Sequence, residues 1–115
     1  MTSIAEEVTM SQGEPLFYVL RAEFGDPDRE EKWNAWYDDV HVPELLTVPG
    51  IISAARYQER DSHRYLAVYE IESLDVFDEP RYREITGWGR WADSIVSYSR
   101  AVVLTYQQLG PVPQR

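Results

Sequence analysis

The order of the predicted strands and helices limits the fold of this chain more than any other feature of its sequence. Segments rich in aromatic and β-branched residues predict four strands, which are Leu16–Phe24, Ile51–Arg60, Arg64–Glu72 and Ile95–Leu109. Amphipathic helices are predicted between the first two strands and between the last two. This βαββαβ order favours a ferredoxin-like α+β fold, with a four-stranded antiparallel sheet and both helices on one face.

Both faces of the predicted sheet are apolar, although two helices can cover only one of them. Side chains on the third strand alternate between the faces, and this alternation does not decide which face meets the helices. One face carries Leu66 and Val68, and the other carries Tyr65, Ala67, Tyr69 and Ile71. Because a second copy of the chain would cover the remaining face, we predict a homodimer that packs sheet to sheet. A thin or curled monomer is the alternative.

The first helix has clear start signals and an apolar stripe. Asp26 is expected to cap it and Pro27 to occupy its first position, with the helix running from Asp28 to about Val42. At about 100° per residue, Val40 falls on the inner face and His41 at the edge of that face.

The second helix is predicted from Arg81 to about Asp93. Its apolar face includes Trp88. Gly87 and Gly89 weaken the helix, each by about 1 kcal/mol relative to alanine. Gly89 projects toward the apolar side, where its missing side chain leaves room for a ligand.

Length and charge exclude several classes of protein. The chain has 115 residues, so we expect one domain at 15–109, with a flexible leader at 1–14 and a tail at 110–115. Twenty acidic against eleven basic residues give a net charge of −9, which argues against nucleic acid and anionic membranes as partners.

The chain has no cysteine and two histidines without ligand spacing, so no disulfide and no metal site are predicted. A secretory signal and a membrane-spanning apolar segment are also missing from the sequence. A cytoplasmic location is the expectation.

One segment resembles a known family. The sequence WYDDVHVPELLTVPG from Trp36 to Gly50, followed by Ala55-Arg56-Tyr57, resembles the EthD-like group of the dimeric α/β-barrel superfamily. The order of elements extends the similarity over Leu16 to Leu109. The resemblance implies a dimer of ferredoxin-like subunits, each with a cleft between sheet and helices. Superfamily members include cofactor-free quinol monooxygenases, muconolactone isomerases, polyketide cyclases and heme enzymes, so the fold alone does not select a reaction.

His41 is the first candidate for catalysis. Its imidazole is expected at the mouth of an apolar cleft, where it can transfer protons near neutral pH. Tyr37 and Asp38 lie four and three residues earlier, within side-chain reach on a helix, and Asp38 is expected to orient the ring or stabilise its protonated form. The His-x-Pro motif of the group also includes His41. The structural alternatives are a histidine that only complements the helix dipole and one that only packs in the loop before Pro43.

Aromatic and arginine side chains are the candidates for substrate binding. Trp36, Trp88 and Trp91 lie on the predicted helices and offer apolar walls with one polar atom each, unless they are ordinary core residues. Arg56 and Arg100 lie within predicted strands and need a partner if they are buried. That partner is either a substrate carboxylate or enolate, or a carboxylate in an ion pair across the dimer. Tyr69 is a candidate proton donor or a core tyrosine with a satisfied hydroxyl.

These residues lead to one functional hypothesis with three alternatives. The hypothesis is a small homodimeric enzyme without cofactor, in which His41 acts as general acid or base on an apolar aromatic or cyclic carbonyl compound. The reaction would be of the lyase, isomerase, cyclase or dehydratase type. The alternatives are a cofactor-free quinol-type monooxygenase, a heme enzyme with His41 as axial ligand, and a ligand-binding dimer without catalysis.

Overall fold

A computed structural model describes residues 16–104, 109–111 and 113 of the chain. The strands are β1 (Leu16–Phe24), β2 (Ile51–Gln58), β3 (Arg64–Ile71) and β4 (Ile95–Val103). The α-helices are α1 (Pro27–Trp36), α2 (Val42–Leu45) and α3 (Pro80–Ile85). A π-helical turn joins α1 to α2 at Tyr37–His41, and two 3₁₀ turns flank α3 at Leu74–Asp78 and Gly89–Ser94.

The four strands form one antiparallel sheet in the order β2-β3-β1-β4. This arrangement confirms the predicted ferredoxin-like α+β fold. Strands β2 and β3 are slightly shorter than predicted. Strand β4 ends at Val103 rather than Leu109, with Leu104 already outside it, and residues 105–108 lie outside the described part. The predicted leader at 1–14 also lies outside the described residues.

The structure decides which face of the sheet meets the helices. It is the face that carries Tyr65, Ala67, Tyr69 and Ile71, all of which are buried. Their core is largely aromatic: Trp33 of α1 is fully buried and stacks on Phe24 with ring centroids 4.6 Å apart. Burial of large aromatic side chains on this scale is the main source of stability for a sheet covered on one side.

The opposite face of the sheet has no cover from the described residues. Across its centre, Val19 of β1 pairs with Val68 of β3 and with Ala101 of β4, and Val68 pairs with Ala55 of β2. These four residues form an apolar row that crosses all four strands. The rows on either side mix polar and apolar side chains. One contains Arg21 and Ser99 with Leu66 and Tyr57, and the other contains Ser53 and Glu70 with Phe17 and Val103.

The first helix begins as predicted. The Asp26 side chain accepts a hydrogen bond from the Asp28 N–H at 3.1 Å, and Pro27 takes the first helical position. The backbone then widens, because the Val42 N–H donates to the carbonyl of Tyr37, five residues earlier. The wide turn has a direct effect on the inner face: Val40 is 44% exposed and His41 is buried. The expectation that Val40 would face inward is therefore wrong.

The second helix is much shorter than predicted, since α3 ends at Ile85 rather than near Asp93. Gly87 has a φ of +107° and Gly89 a φ of +56°, both in the left-handed region that glycine adopts without steric cost. These two glycines break the helix. The chain restarts as the 3₁₀ turn Gly89–Ser94, and Trp88 is left on the connecting segment.

None of the helices in the described part of the chain is long and apolar enough to cross a membrane.

Candidate active site

A cavity of about 250 Å³ lies between the sheet and the helices. This volume is slightly below the range of about 300–1,000 Å³ that is usual for small-molecule sites, and it suits one or two fused aromatic rings. The cavity brings together four of the residues that the sequence proposes for a site. They are His41, Tyr69, Trp88 and Arg100.

The imidazole of His41 borders this cavity and is only 6% exposed. It stacks on the Trp36 ring at 4.6 Å and meets the Tyr37 ring edge-on at 5.0 Å. No described residue makes a hydrogen bond to its nitrogens. Burial, followed by the positive charge of Arg56, lowers the pKa of His41 to about 4. At neutral pH the side chain is therefore an uncharged imidazole with a nitrogen ready to accept a proton.

Two tyrosine hydroxyls meet in a buried pair, and the ring of one of these tyrosines, Tyr37, contacts the imidazole of His41. The hydroxyls of Tyr37 and Tyr69 are 2.8 Å apart in a buried hydrogen bond, and Tyr69 also lines the cavity. Burial is the main cause of a raised pKa at Tyr69, so its hydroxyl keeps its proton. When Tyr37 donates to Tyr69, the Tyr69 proton is free to donate to an oxygen of a ligand in the cavity.

Asp38 does not contact His41 in the structure. Its Oδ1 lies 2.8 Å from Nη1 of Arg56, and Arg56 Nη2 donates to the Asn34 side-chain oxygen at 2.9 Å. The Arg56 guanidinium also lies over the Tyr37 ring, 4.1 Å from its centroid. Asp38 and Arg56 thus form an ion pair within one chain, outside the wall of the cavity, and Arg56 packs against the ring of Tyr37.

The tryptophans occupy three different environments. Trp88 lines the cavity, and its ring meets that of Tyr98 at 5.8 Å. Trp36 packs behind the imidazole, with which it stacks. Trp91, a candidate for substrate binding, is instead a core residue: it is only 2% exposed, its ring centroid lies 6.1 Å from that of Trp36, and it does not line the cavity.

Several residues of the cavity wall were not singled out from the sequence. Tyr18 of β1 stacks on Tyr69 with ring centroids 5.7 Å apart, and Phe77 meets Tyr18 edge-on at 5.0 Å. Alternation along β1 groups Tyr18 with Leu16 and Leu20, but it does not show that this group faces the helices. Phe77 lies in a 3₁₀ turn too short to give a periodic signal.

The depressed pKa of His41 predicts how stability depends on pH. Below its ordinary pKa of 6.5, His41 binds a proton in the unfolded chain but not in the folded chain until about pH 4. The free energy of unfolding therefore decreases from pH 6.5 to 4 by up to about 3 kcal/mol from this group, and the contribution is constant below that window. Urea unfolding at several pH values measures it, with His41→Phe as the reference that lacks the group. Equal pH slopes for the two proteins would contradict the assignment.

Fold and cavity together define a ferredoxin-like α+β domain with a site of ligand size between its sheet and its helices. Several solved structures have a similar fold. A dimeric ferredoxin-like protein from an uncultured marine organism has a TM-score of 0.65 and 15% identity, over 91% of this chain and 99% of that chain. No protein-family model matches the chain, and none of the curated proteins matches it.

Two further similar structures are oxygenases by name. SnoaB from Streptomyces nogalater, a cofactor-independent oxygenase, has a TM-score of 0.59 and 16% identity over 85% of this chain and 99% of that chain. A monooxygenase from the gene ActVA-Orf6 of Streptomyces coelicolor, solved in complex with the ligand nanaomycin D, has a TM-score of 0.58 and 14% identity, over 86% and 94%. At these identities the likeness concerns the fold.

Proposed function

We propose that the chain is a small cofactor-independent oxygenase that acts on an electron-rich aromatic compound of the quinol type, with His41 as the base. The observation that carries this proposal is the neutral imidazole of His41, which makes no hydrogen bond with the described residues and borders an aromatic cavity of about 250 Å³. Two structures of similar fold, SnoaB and the Streptomyces coelicolor monooxygenase, are oxygenases by name, and we therefore propose oxygenation ahead of the lyase and isomerase types.

The chemistry begins with proton transfer from a quinol hydroxyl to His41. The low pKa of His41 in the empty site opposes this transfer. The quinol anion that the transfer forms lies beside the ring, and its negative charge stabilises the imidazolium. The hydroxyl of Tyr69 donates to the same substrate oxygen and supports its negative charge. The quinol anion then reduces O₂ itself: one oxygen atom is added to the ring, the other leaves as water, and the product is a hydroxyquinone.

The heme alternative does not suit this cavity. A porphyrin is much larger than the one or two rings that about 250 Å³ holds, so the site would have to open before His41 reached an iron. The EthD-like assignment is part of the proposal and rests on the segment from Trp36 to Gly50. The cytoplasmic location stays a prediction.

We also propose that the working form is a homodimer joined through the uncovered sheet face. An apolar row bordered by rows of mixed polarity is the usual composition of an interface between two copies of one chain. Val19, Val68, Ala55 and Ala101 supply this row. The similar dimeric ferredoxin-like protein from the marine organism supports the arrangement.

Oxygen uptake with naphthalene-1,4-diol tests the function. We expect the protein to accelerate O₂ consumption above the uncatalysed rate, with one O₂ consumed for each hydroxyquinone formed. Conversion of the diol without oxygen uptake would favour the lyase or isomerase type instead. Binding without any conversion, detected by quenching of tryptophan fluorescence, would favour the ligand-binding dimer and contradict the oxygenase proposal.

A further inference from the structure

Arg100 gives the cavity a positive charge that none of the described residues in its wall neutralises. Neither aspartate nor glutamate is among the described residues that line the cavity, and His41 is uncharged at neutral pH. The positive charge of this cavity is opposite in sign to the net charge of the whole chain, which is −9. A guanidinium at the rim of an apolar cavity, with no described carboxylate paired to it, can bind the anionic group of a ligand whose apolar part enters the cavity.

The contacts of Arg100 are weak and neutral. Its Nη1 donates to the Tyr18 hydroxyl at 3.5 Å, the outer limit for such a bond, and its guanidinium lies 6.0 Å from the Tyr98 ring centroid. No carboxylate of a described residue lies within ion-pair distance of it. Among the described residues, the arginines that do pair with carboxylates are Arg56, Arg64, Arg81 and Arg83.

The sheet register fixes where this guanidinium is held. Arg100 pairs with Leu20 across the β1–β4 ladder, and both residues line the cavity. Strand β4 is an edge strand, and Arg100 is exposed there. The guanidinium therefore lies where the cavity wall meets solvent, and a ligand can place a charged group on it while its ring stays among Tyr69, Trp88 and Tyr98.

We propose that the ligand of this cavity is an aromatic monoanion whose carboxylate is bound by Arg100. The planar guanidinium matches a carboxylate with two parallel hydrogen bonds, and the Tyr18 hydroxyl is placed to donate a third. The proposal rests on the proposed function, because the same cavity and the same ring are involved. It adds that the aromatic substrate carries an acid group in addition to the hydroxyl that faces His41.

Two ligands that differ mainly in charge test this proposal. Calorimetry with 2-naphthoate and 2-naphthamide is expected to show that the wild-type protein binds the carboxylate about tenfold more tightly, a preference that falls as salt is added. In Arg100→Gln the preference should disappear, and in Arg100→Lys it should be reduced. Arg83→Gln is the matched control: it removes the same charge from an exposed residue of α3 that pairs with Asp78, and it should keep the preference.

The outcomes separate this proposal from the proposed function. Equal affinity for the two naphthalene derivatives, or a preference that survives in Arg100→Gln, would overturn the anion site even if naphthalene-1,4-diol still drives oxygen uptake. Failure of both compounds to bind the wild-type protein would overturn the anion site and the aromatic cavity on which the oxygenase depends. Thermal unfolding of each variant checks that the fold is retained, which we expect because Arg100 is exposed.

Discussion

His41→Phe is expected to lower kcat/KM for the quinol by about 10²–10⁴-fold, the usual contribution of a general base. Phenylalanine has a ring of similar size, so it can keep the stacking on Trp36 that His41 makes at 4.6 Å. It lacks the nitrogen that would accept the proton of the substrate. The fold should therefore survive while the reaction is lost, and oxygen uptake together with thermal unfolding measures the two effects separately.

The second histidine provides the control for this variant. His63 has a side chain that is 57% exposed and pairs with Glu30 at 2.7 Å, outside the cavity wall. His63→Phe should leave kcat/KM within about twofold of the wild-type value, since the residue has no part in the proposed site. Wild-type activity in His41→Phe would exclude His41 as the base. Loss of the folded state in that variant would instead assign His41 a role in packing.

Val68→Asp is expected to convert the proposed dimer to a monomer, with the dissociation constant raised at least about a thousandfold. The two-fold symmetry of a homodimer buries two new carboxylates, and an unpaired buried charge costs several kcal/mol. In the monomer Val68 lies on the uncovered face, so the folded subunit should tolerate the change. Light scattering should give a mass of about twice 13.4 kDa for the wild type and about 13.4 kDa for the variant.

Leu74→Asp is the matched control for the dimer experiment. Leu74 is 55% exposed on the 3₁₀ turn before α3 and not on the sheet, so the same added charge should leave the mass unchanged. A wild-type protein that is monomeric at micromolar concentration would refute the proposed interface. A Val68→Asp protein that remains dimeric would place the interface elsewhere on the surface.

Local sequence signals were sufficient for the sheet and for the start of the first helix. The alternation along β3 separated its buried residues from its uncovered ones, and the Asp26–Pro27 pair marked the helix start. Both signals depend only on neighbouring residues and on the regular geometry of a strand or a helix turn. For this reason the element order and the ferredoxin-like fold were predictable.

The candidate site was less predictable because it depends on contacts between distant parts of the chain. Helical spacing placed Asp38 near His41, but Arg56 of β2, eighteen residues further along, holds that carboxylate instead. Periodicity also extended the second helix through Gly87, where the left-handed backbone ends it. Tyr18 lines the cavity because the helices cover its face of the sheet, and the alternation along β1 does not predict which face that is. Contacts between distant parts of the chain cannot be predicted from the periodicity of its sequence.

The π-helical turn at Tyr37–His41 also affects how histidines at this place are interpreted in other chains. A chain with one residue fewer between Trp36 and Val42 would wind as an ordinary α-helix and point a different side chain at the sheet. A relative can therefore keep a histidine at the aligned position and lack the proposed base, or carry that base one position away. Superposition of backbones, rather than counting along the sequence, identifies which relatives share this chemistry.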